Sequence, residues 1–191
     1  MHRRPLLEML ARYRRAFPAE MEMVDRIEAL VTAHANCFER VCRPGHITGS
    51  AWILSPDRRR YLLTHHLKLN RWLQLGGHAD GQTQVEQVAL REAREESGMH
   101  EFELMTFDGT LLPLDVDVHV IPACTDAQGN TLEDAHEHHD IRFLLVAKTG
   151  QHIRVSEESH EVAWFSTEDV LRITNEESIL RMLYKAQARM S

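Results

Sequence analysis

Apolar residues in the first 40 positions recur at helical spacing. Leu6, Leu10, Tyr13 and Phe17 line one face of a helix that must end before Pro18. Val24, Ile27, Val31 and Phe38 predict a second amphipathic helix, with Pro44-Gly45 as its break. From Gly45 onward the pattern is that of strands. His46–Ser55 and Arg60–His65 are rich in β-formers and flank the turn signal Pro56-Asp57. Trp72–Leu75 is a short apolar run leading into Gly76-Gly77. A helix is expected over about Gln84–Ser97, stopped by Gly98. Phe102–Phe107, Leu114–Ile121 and Ile141–Ala147 read as further strands, with the polar turn Thr125–Asp134 between the last two. Val162–Phe165 is a last short strand. Thr174 with Glu177 forms a capping box for a final helix carrying Ile179, Leu183 and Ala186 on one stripe.

Strands and helices mix without strict βαβ alternation. The expectation is therefore an α/β fold of the α+β type, a mixed sheet flanked by helices. It divides into an N-terminal helical extension over residues 1–44 and one domain over 45–191. The extension carries no evident chemistry and offers packing or homodimer contacts.

Composition narrows the function. Lys+Arg total 22 against 29 Asp+Glu, for a net charge of −7, which argues against a nucleic-acid partner. The apolar runs are far short of a membrane span, and Arg12, Arg14 and Arg15 interrupt any signal-peptide core. Three cysteines make an odd, sparse set that favours a reducing cytoplasm. His34, Cys37, Cys42 and His46 bring four possible zinc ligands close together, but without a CxxC knuckle the expected role is packing.

The chemistry concentrates in Gly76-Gly77-His78-Ala79-Asp80-Gly81 and the helix ending Arg91-Glu92-Ala93-Arg94-Glu95-Glu96-Ser97-Gly98. On a helical wheel Val85, Val88, Ala89 and Ala93 fall together as a buried stripe. Glu92, Glu95 and Glu96 continue that stripe, while Gln87, Arg91 and Arg94 take the outer face. Three inward carboxylates about 5 Å apart repel by about 3 kcal/mol per pair at an effective dielectric of about 20. A divalent cation relieves the repulsion, and hard oxygens select Mg²⁺ or Mn²⁺. Gly76-Gly77 allows a sharp turn and close approach to a ligand, and the loop amides can hold phosphate oxygens.

The stretch from Gly77 to Met99 resembles the Nudix box, G-x5-E-x7-R-E-U-x-E-E-x-G-U with U apolar. Gly77, Arg91, Glu92, Ala93, Glu95, Glu96, Gly98 and Met99 fall in place, and Thr83 stands where the box has its first Glu. The resemblance covers about residues 45–170. It implies an α/β/α sandwich and metal-dependent attack of water on a diphosphate. By position it makes Glu92, Glu95 and Glu96 metal ligands, with the Gly76 carbonyl as a further one. Arg91 would orient a box carboxylate, most simply Glu95. The family often adds an acid from a loop before a Trp, and here Glu158, six residues before Trp164, fits as extra ligand or base.

The 13 histidines add polar contacts. Asp115, Asp117 and His119 alternate with Val116 and Val118, so the polar positions share one strand face. Pairing about the 128–130 turn sets His119 opposite His139, to within a residue. Either histidine, with His78 after the glycines, could touch substrate. A second metal site on His119 with His138 or His139 is the other reading, against a merely structural edge.

Together these readings predict a Mg²⁺- or Mn²⁺-dependent Nudix hydrolase acting on a small nucleoside diphosphate linked to another moiety. Gly77, His78, His119 and His139 would contact substrate, and Glu92, Glu95, Arg91 and Glu158 would serve catalysis. Two alternatives stand beside it. One is an enzyme like isopentenyl-diphosphate isomerase, kept open by Cys124 and the histidines. The other is a non-catalytic nucleotide-binding module, for which Thr83 is the best support.

Overall fold

The computed structural model describes residues 2–67, 69–126, 128–154 and 159–190. Helix α1 (Arg4–Ala16) buries Leu6, Met9, Leu10 and Tyr13, and Pro5 sits in its first turn, where a missing N–H costs nothing. A single 3₁₀ turn (Pro18–Glu20) leads into α2 (Met21–Ala33), which buries Val24, Ile27, Leu30 and Val31. The spacing predicts that Phe38 extends this stripe. Instead α2 stops at Ala33, and turns carry Cys37, Phe38 and Cys42 into the core. The amide of Ile47 donates to the Cys37 carbonyl at 2.7 Å, and that of Gly81 to the Phe38 carbonyl at 2.9 Å. Those two bonds need a folded-back chain that a continued helix could not supply.

The strands among the described residues are, in chain order, β1 (Gly45–Leu54), β2 (Tyr61–His66), β3 (Arg71–Leu73), β4 (Leu75–His78), β5 (Phe102–Leu104), β6 (Asp115–Ile121), β7 (Cys124–Thr125), β8 (Thr131–Glu133), β9 (His136–Ala147) and β10 (Ser159–Phe165). β7 and β8 pair as a separate ribbon, and the other eight form the main sheet. β1 and β9 run parallel at the centre, and every other pairing is antiparallel. Each central strand changes its outer partner along its length. β1 pairs with β4 over Thr48–Ala51 and with β2 over Ile53–Leu54, while β9 pairs first with β6 and then with β5.

Helix α3 (Val85–Ser97) covers one sheet face through Val85, Val88, Ala89 and Ala93, in a core shared with α1 and α2. It ends where expected, at Gly98, whose φ of 68° suits a residue without Cβ. A short helix α4 (Thr167–Ile173), which the patterning does not announce, precedes α5 (Glu177–Met190). The capping box belongs to α4 and is Ser166 with Asp169, whereas Thr174 only accepts from the Glu176 amide at 3.1 Å and does not cap with Glu177. α5 lies on the other sheet face, where Ile179, Met182, Leu183 and Ala186 pack with Trp52, Leu54, Leu144 and Val146. This is the mixed sheet flanked by helices that the patterning predicts, in the α/β/α layering that the resemblance implies. Among the described residues no helix is long and apolar enough to cross a membrane.

A buried charge network fastens α5 to the sheet. Asp115, fully buried, accepts from Arg142 at 3.1 Å, from Arg181 at 2.8 Å and from Lys185 at 2.8 Å. Arg142 also meets Asp140 at 2.8 Å and Asp117 at 3.1 Å. Burial pushes the Asp115 carboxyl up, but Arg181, Arg142 and Lys185 outweigh that and hold it below the usual carboxylate range. The stability it contributes is therefore complete above about pH 4 and is lost as pH falls through the depressed folded-state value. Asp115→Asn is expected to cost about 3–5 kcal/mol at neutral pH, because it leaves buried cations unpaired. Urea unfolding from pH 7 down to pH 3 should show the gap to wild type narrowing below about pH 4.

Candidate functional site

Strand β4 does not end at its glycines. Gly76 and Gly77 lie inside it, opposite Ser50 and Gly49 of β1, so the expected sharp turn is a stretch of paired strand. A Cβ on Gly77 would come within 2.5 Å of Glu92 Oε2, and one on Gly49 within 2.9 Å of the Val85 carbonyl. These glycines let α3 lie directly on the backbone of β1 and β4. The Gly76 amide in turn donates to Glu96 Oε2 at 3.3 Å.

The three helix carboxylates are not equivalent. Glu96 is buried, at 8% exposed, and Glu92 is largely buried against β4. Glu95 is not turned inward as the wheel predicts, since its side chain is 64% exposed. It sits on the margin of the stripe, and Glu92 and Glu96 already occupy the approach to β4. Arg91 also departs from expectation. Its guanidinium folds back to donate to Glu92 Oε1 at 2.6 Å, to the His78 carbonyl at 2.6 Å and to Gln82 Oε1 at 2.8 Å. Its distance to Glu95 is 3.8 Å, so the carboxylate it orients is Glu92. The exposed i,i+4 pair is the weaker competitor.

Thr83 lies elsewhere. It lines a crevice with Pro5, Leu6, Met9 and Arg12 of α1. Glu158 falls outside the described residues.

The sheet face opposite α3 is polar at one end. Neighbouring strands align His119, His138 and His46 in one row, and Asp117, Asp140, Thr48 and His78 in the next. Asp140 accepts from Ser50 at 2.8 Å and Thr48 at 3.0 Å as well as from Arg142. His119 Nδ1 lies 3.0 Å from Asp117. His139 does not face His119, because the register pairs His119 with His138. That single step puts His139 on the other side of the sheet, against Glu137 at 3.1 Å and the residues of α2. His136 belongs to the histidine segment that the sequence pairs with the His119 strand, whereas His46, expected to pack with His34, Cys37 and Cys42, joins this surface instead, and for Asp140 the sequence predicts no role. The alternation of His46, Thr48 and Ser50 with Ile47, Gly49 and Ala51 was the available signal.

A family model described as the NUDIX domain matches residues 46–186. The chain belongs to the Nudix family. No curated protein matches the sequence. Solved structures extend the likeness to the Nudix fold beyond the box. A NUDIX-family hydrolase from Clostridium perfringens is 24% identical with a TM-score of 0.56, covering 75% of this chain and 97% of that one. An Ap4A hydrolase from C. elegans is 17% identical with a TM-score of 0.57, covering 75% and 96%. The NUDIX domain of Shewanella oneidensis NrtR, solved with ADP ribose, is 18% identical with a TM-score of 0.50, covering 76% and 88%.

The two box glycines should respond differently to substitution. A Cβ at Gly76 meets the Ser50 backbone at 2.8 Å, whereas at Gly77 it meets only the movable Glu92 carboxylate. Gly76→Ala is expected to lose about 1–3 kcal/mol in chemical denaturation, and Gly77→Ala distinctly less while displacing Glu92.

Proposed function

We propose that this Nudix protein hydrolyses the diphosphate linkage of a small nucleoside diphosphate derivative, with Mg²⁺ or Mn²⁺ held by the box carboxylates. The observation that carries this reading is the packing of Glu92 and Glu96 against the bare backbone at Gly76 and Gly77. Oxygen donors converge there where a side chain at Gly77 would block them. The donor set fits a hard divalent ion. Glu92, Glu95, Glu96 and the Gly76 carbonyl would hold it. When bound, the ion would neutralise the phosphates and make water more acidic.

The chain's own residues supply the rest. Arg91 fixes Glu92 through a 2.6 Å hydrogen bond and ties the helix to the His78 carbonyl. Glu95, whose side chain is 64% exposed, would take a proton from attacking water. His78 and His119, on the polar sheet face, offer hydrogen bonds to substrate, whereas the position of His139 beneath α2 argues against a contact there. The nucleotide class rests on relatives of the same fold whose names refer to Ap4A and ADP ribose. Cys37, Cys42 and Cys124 are free thiols, which suits a reducing cytoplasm.

The binding-module reading draws on Thr83, which packs toward α1 where the box has a carboxylate. The isomerase reading gains nothing from Cys124, which is exposed on the separate β7–β8 ribbon. A phosphatase-coupled screen of nucleoside diphosphate sugars and dinucleotide polyphosphates with Mg²⁺ or Mn²⁺ should find a substrate. Glu96→Gln should lower its kcat by about 10²–10⁴-fold with an unchanged circular dichroism spectrum. Wild-type turnover in that variant would remove the role given to Glu96, and binding without any turnover by the native protein would remove the hydrolase assignment.

A further inference from the structure

A second group of donors lies on the polar sheet face, away from α3. Single ring nitrogens of His46, His136 and His138 all lie within 4.8 Å of one another. The His78 ring is centred 5.0 Å from those of both His46 and His138.

His46 is the anomaly in this group. It is fully buried, yet among the described residues neither ring nitrogen has a hydrogen-bond partner. Native proteins rarely leave buried polar atoms in that state without a ligand or an ordered water. Burial, with neighbouring imidazoles, draws the His46 pKa down to about 3, and moves His138 in the same direction. Both rings are therefore neutral at pH 7, with lone pairs available. His136 is already oriented, because its Nδ1 faces the Asp134 carbonyl at 2.9 Å and so carries the proton. Its Nε2 is left as a donor of electrons, 3.3 Å from His138 Nε2. A backbone carbonyl behind one ring nitrogen is the usual support of a metal-ligating histidine.

We propose that His46, His136 and His138 form a separate site for a divalent ion of the Zn²⁺ class. Tetrahedral Zn–N bonds of about 2.0–2.1 Å set ligand nitrogens about 3.3 Å apart. The His136–His138 pair has that spacing, and small ring rotations bring in His46. Three imidazoles suit Zn²⁺, Co²⁺ or Ni²⁺ and not Mg²⁺, so this site and the box carboxylates select different ions. The proposal is independent of the hydrolase reading.

The test uses the full chain, stripped with a chelator, dialysed and titrated with Zn²⁺ or Co²⁺ in excess Mg²⁺. Wild type should bind one Zn²⁺ and gain about 5–10 °C in Tm at a hundredfold excess over Kd. Its Co²⁺ form should show the intense visible bands of a tetrahedral nitrogen site. His138→Ala should weaken Zn²⁺ binding by about tenfold or more, while Glu96→Gln leaves it unchanged. Equal binding by His138→Ala and wild type, loss of binding in Glu96→Gln, or no saturable binding by wild type would overturn the site. Should His138→Ala fail to fold, the wild-type Co²⁺ spectrum decides, and weak bands of octahedral oxygen ligation refute it.

Discussion

Gly49 and Gly77 face each other across β1 and β4, and together they form a patch of sheet with no side chains. Helix α3 rests on that patch. The Val85 carbonyl and Val88 side chain occupy the space above Gly49, and the Glu92 carboxylate the space above Gly77. The helix can approach so closely only because the backbone beneath is bare. That approach brings Glu92 and Glu96 to the strand backbone, where Arg91 and the Gly76 amide hold them. A helix–sheet contact of ordinary side-chain thickness would leave the same carboxylates in solvent. The Nudix glycine thus acts first on packing distance and only through it on chemistry.

The opposite face of the sheet solves a different problem. Leu54, Trp52, Leu144 and Val146 lie under α5, but further along the same strands the residues become Ser50, Thr48 and His46, and Arg142, Asp140 and His138. Polar groups there lose water, and they need partners. Asp115, Asp117 and Asp140 surround Arg142, and Arg181 and Lys185 from α5 add the balancing charge. The pairing is dense because each ion alone would be costly to bury. The network also ties α5 to β6 at the boundary between the apolar and polar halves, which keeps the polar half rigid.

Much of this was legible in the sequence, because it depends on period. The alternation of Asp115, Asp117 and His119 with Val116 and Val118 marked one strand face, and the helix from Val85 to Gly98 was bounded by its own stripe and glycine stop. Hydropathy alone starts β9 at Ile141, since His136, Glu137, His138, His139 and Asp140 are polar at both parities, and only pairing across the 128–130 turn brings them in. Pairing with β1 on one side and β6 on the other makes them a strand, a non-local fact that hydropathy does not carry. A one-residue register difference then moved His139 across the sheet. Glu95 illustrates the limit of a helical wheel, which orders angles but does not say where the facing strand ends. The box motif itself fixed the family, because its residues are local.

Two donor sets end up on opposite sides of one short strand. Gly77 of β4 faces the carboxylates of α3, while its neighbour His78 faces His46 and His138. Strand pleating alone produces this division, since consecutive residues point to opposite faces. Oxygen donors therefore gather on one side and imidazoles on the other, with Arg91 spanning them through the His78 carbonyl. Because hard and borderline ions prefer these sets differently, occupancy of one need not displace the other. The same guanidinium that positions Glu92 also holds the backbone of the strand that carries His78.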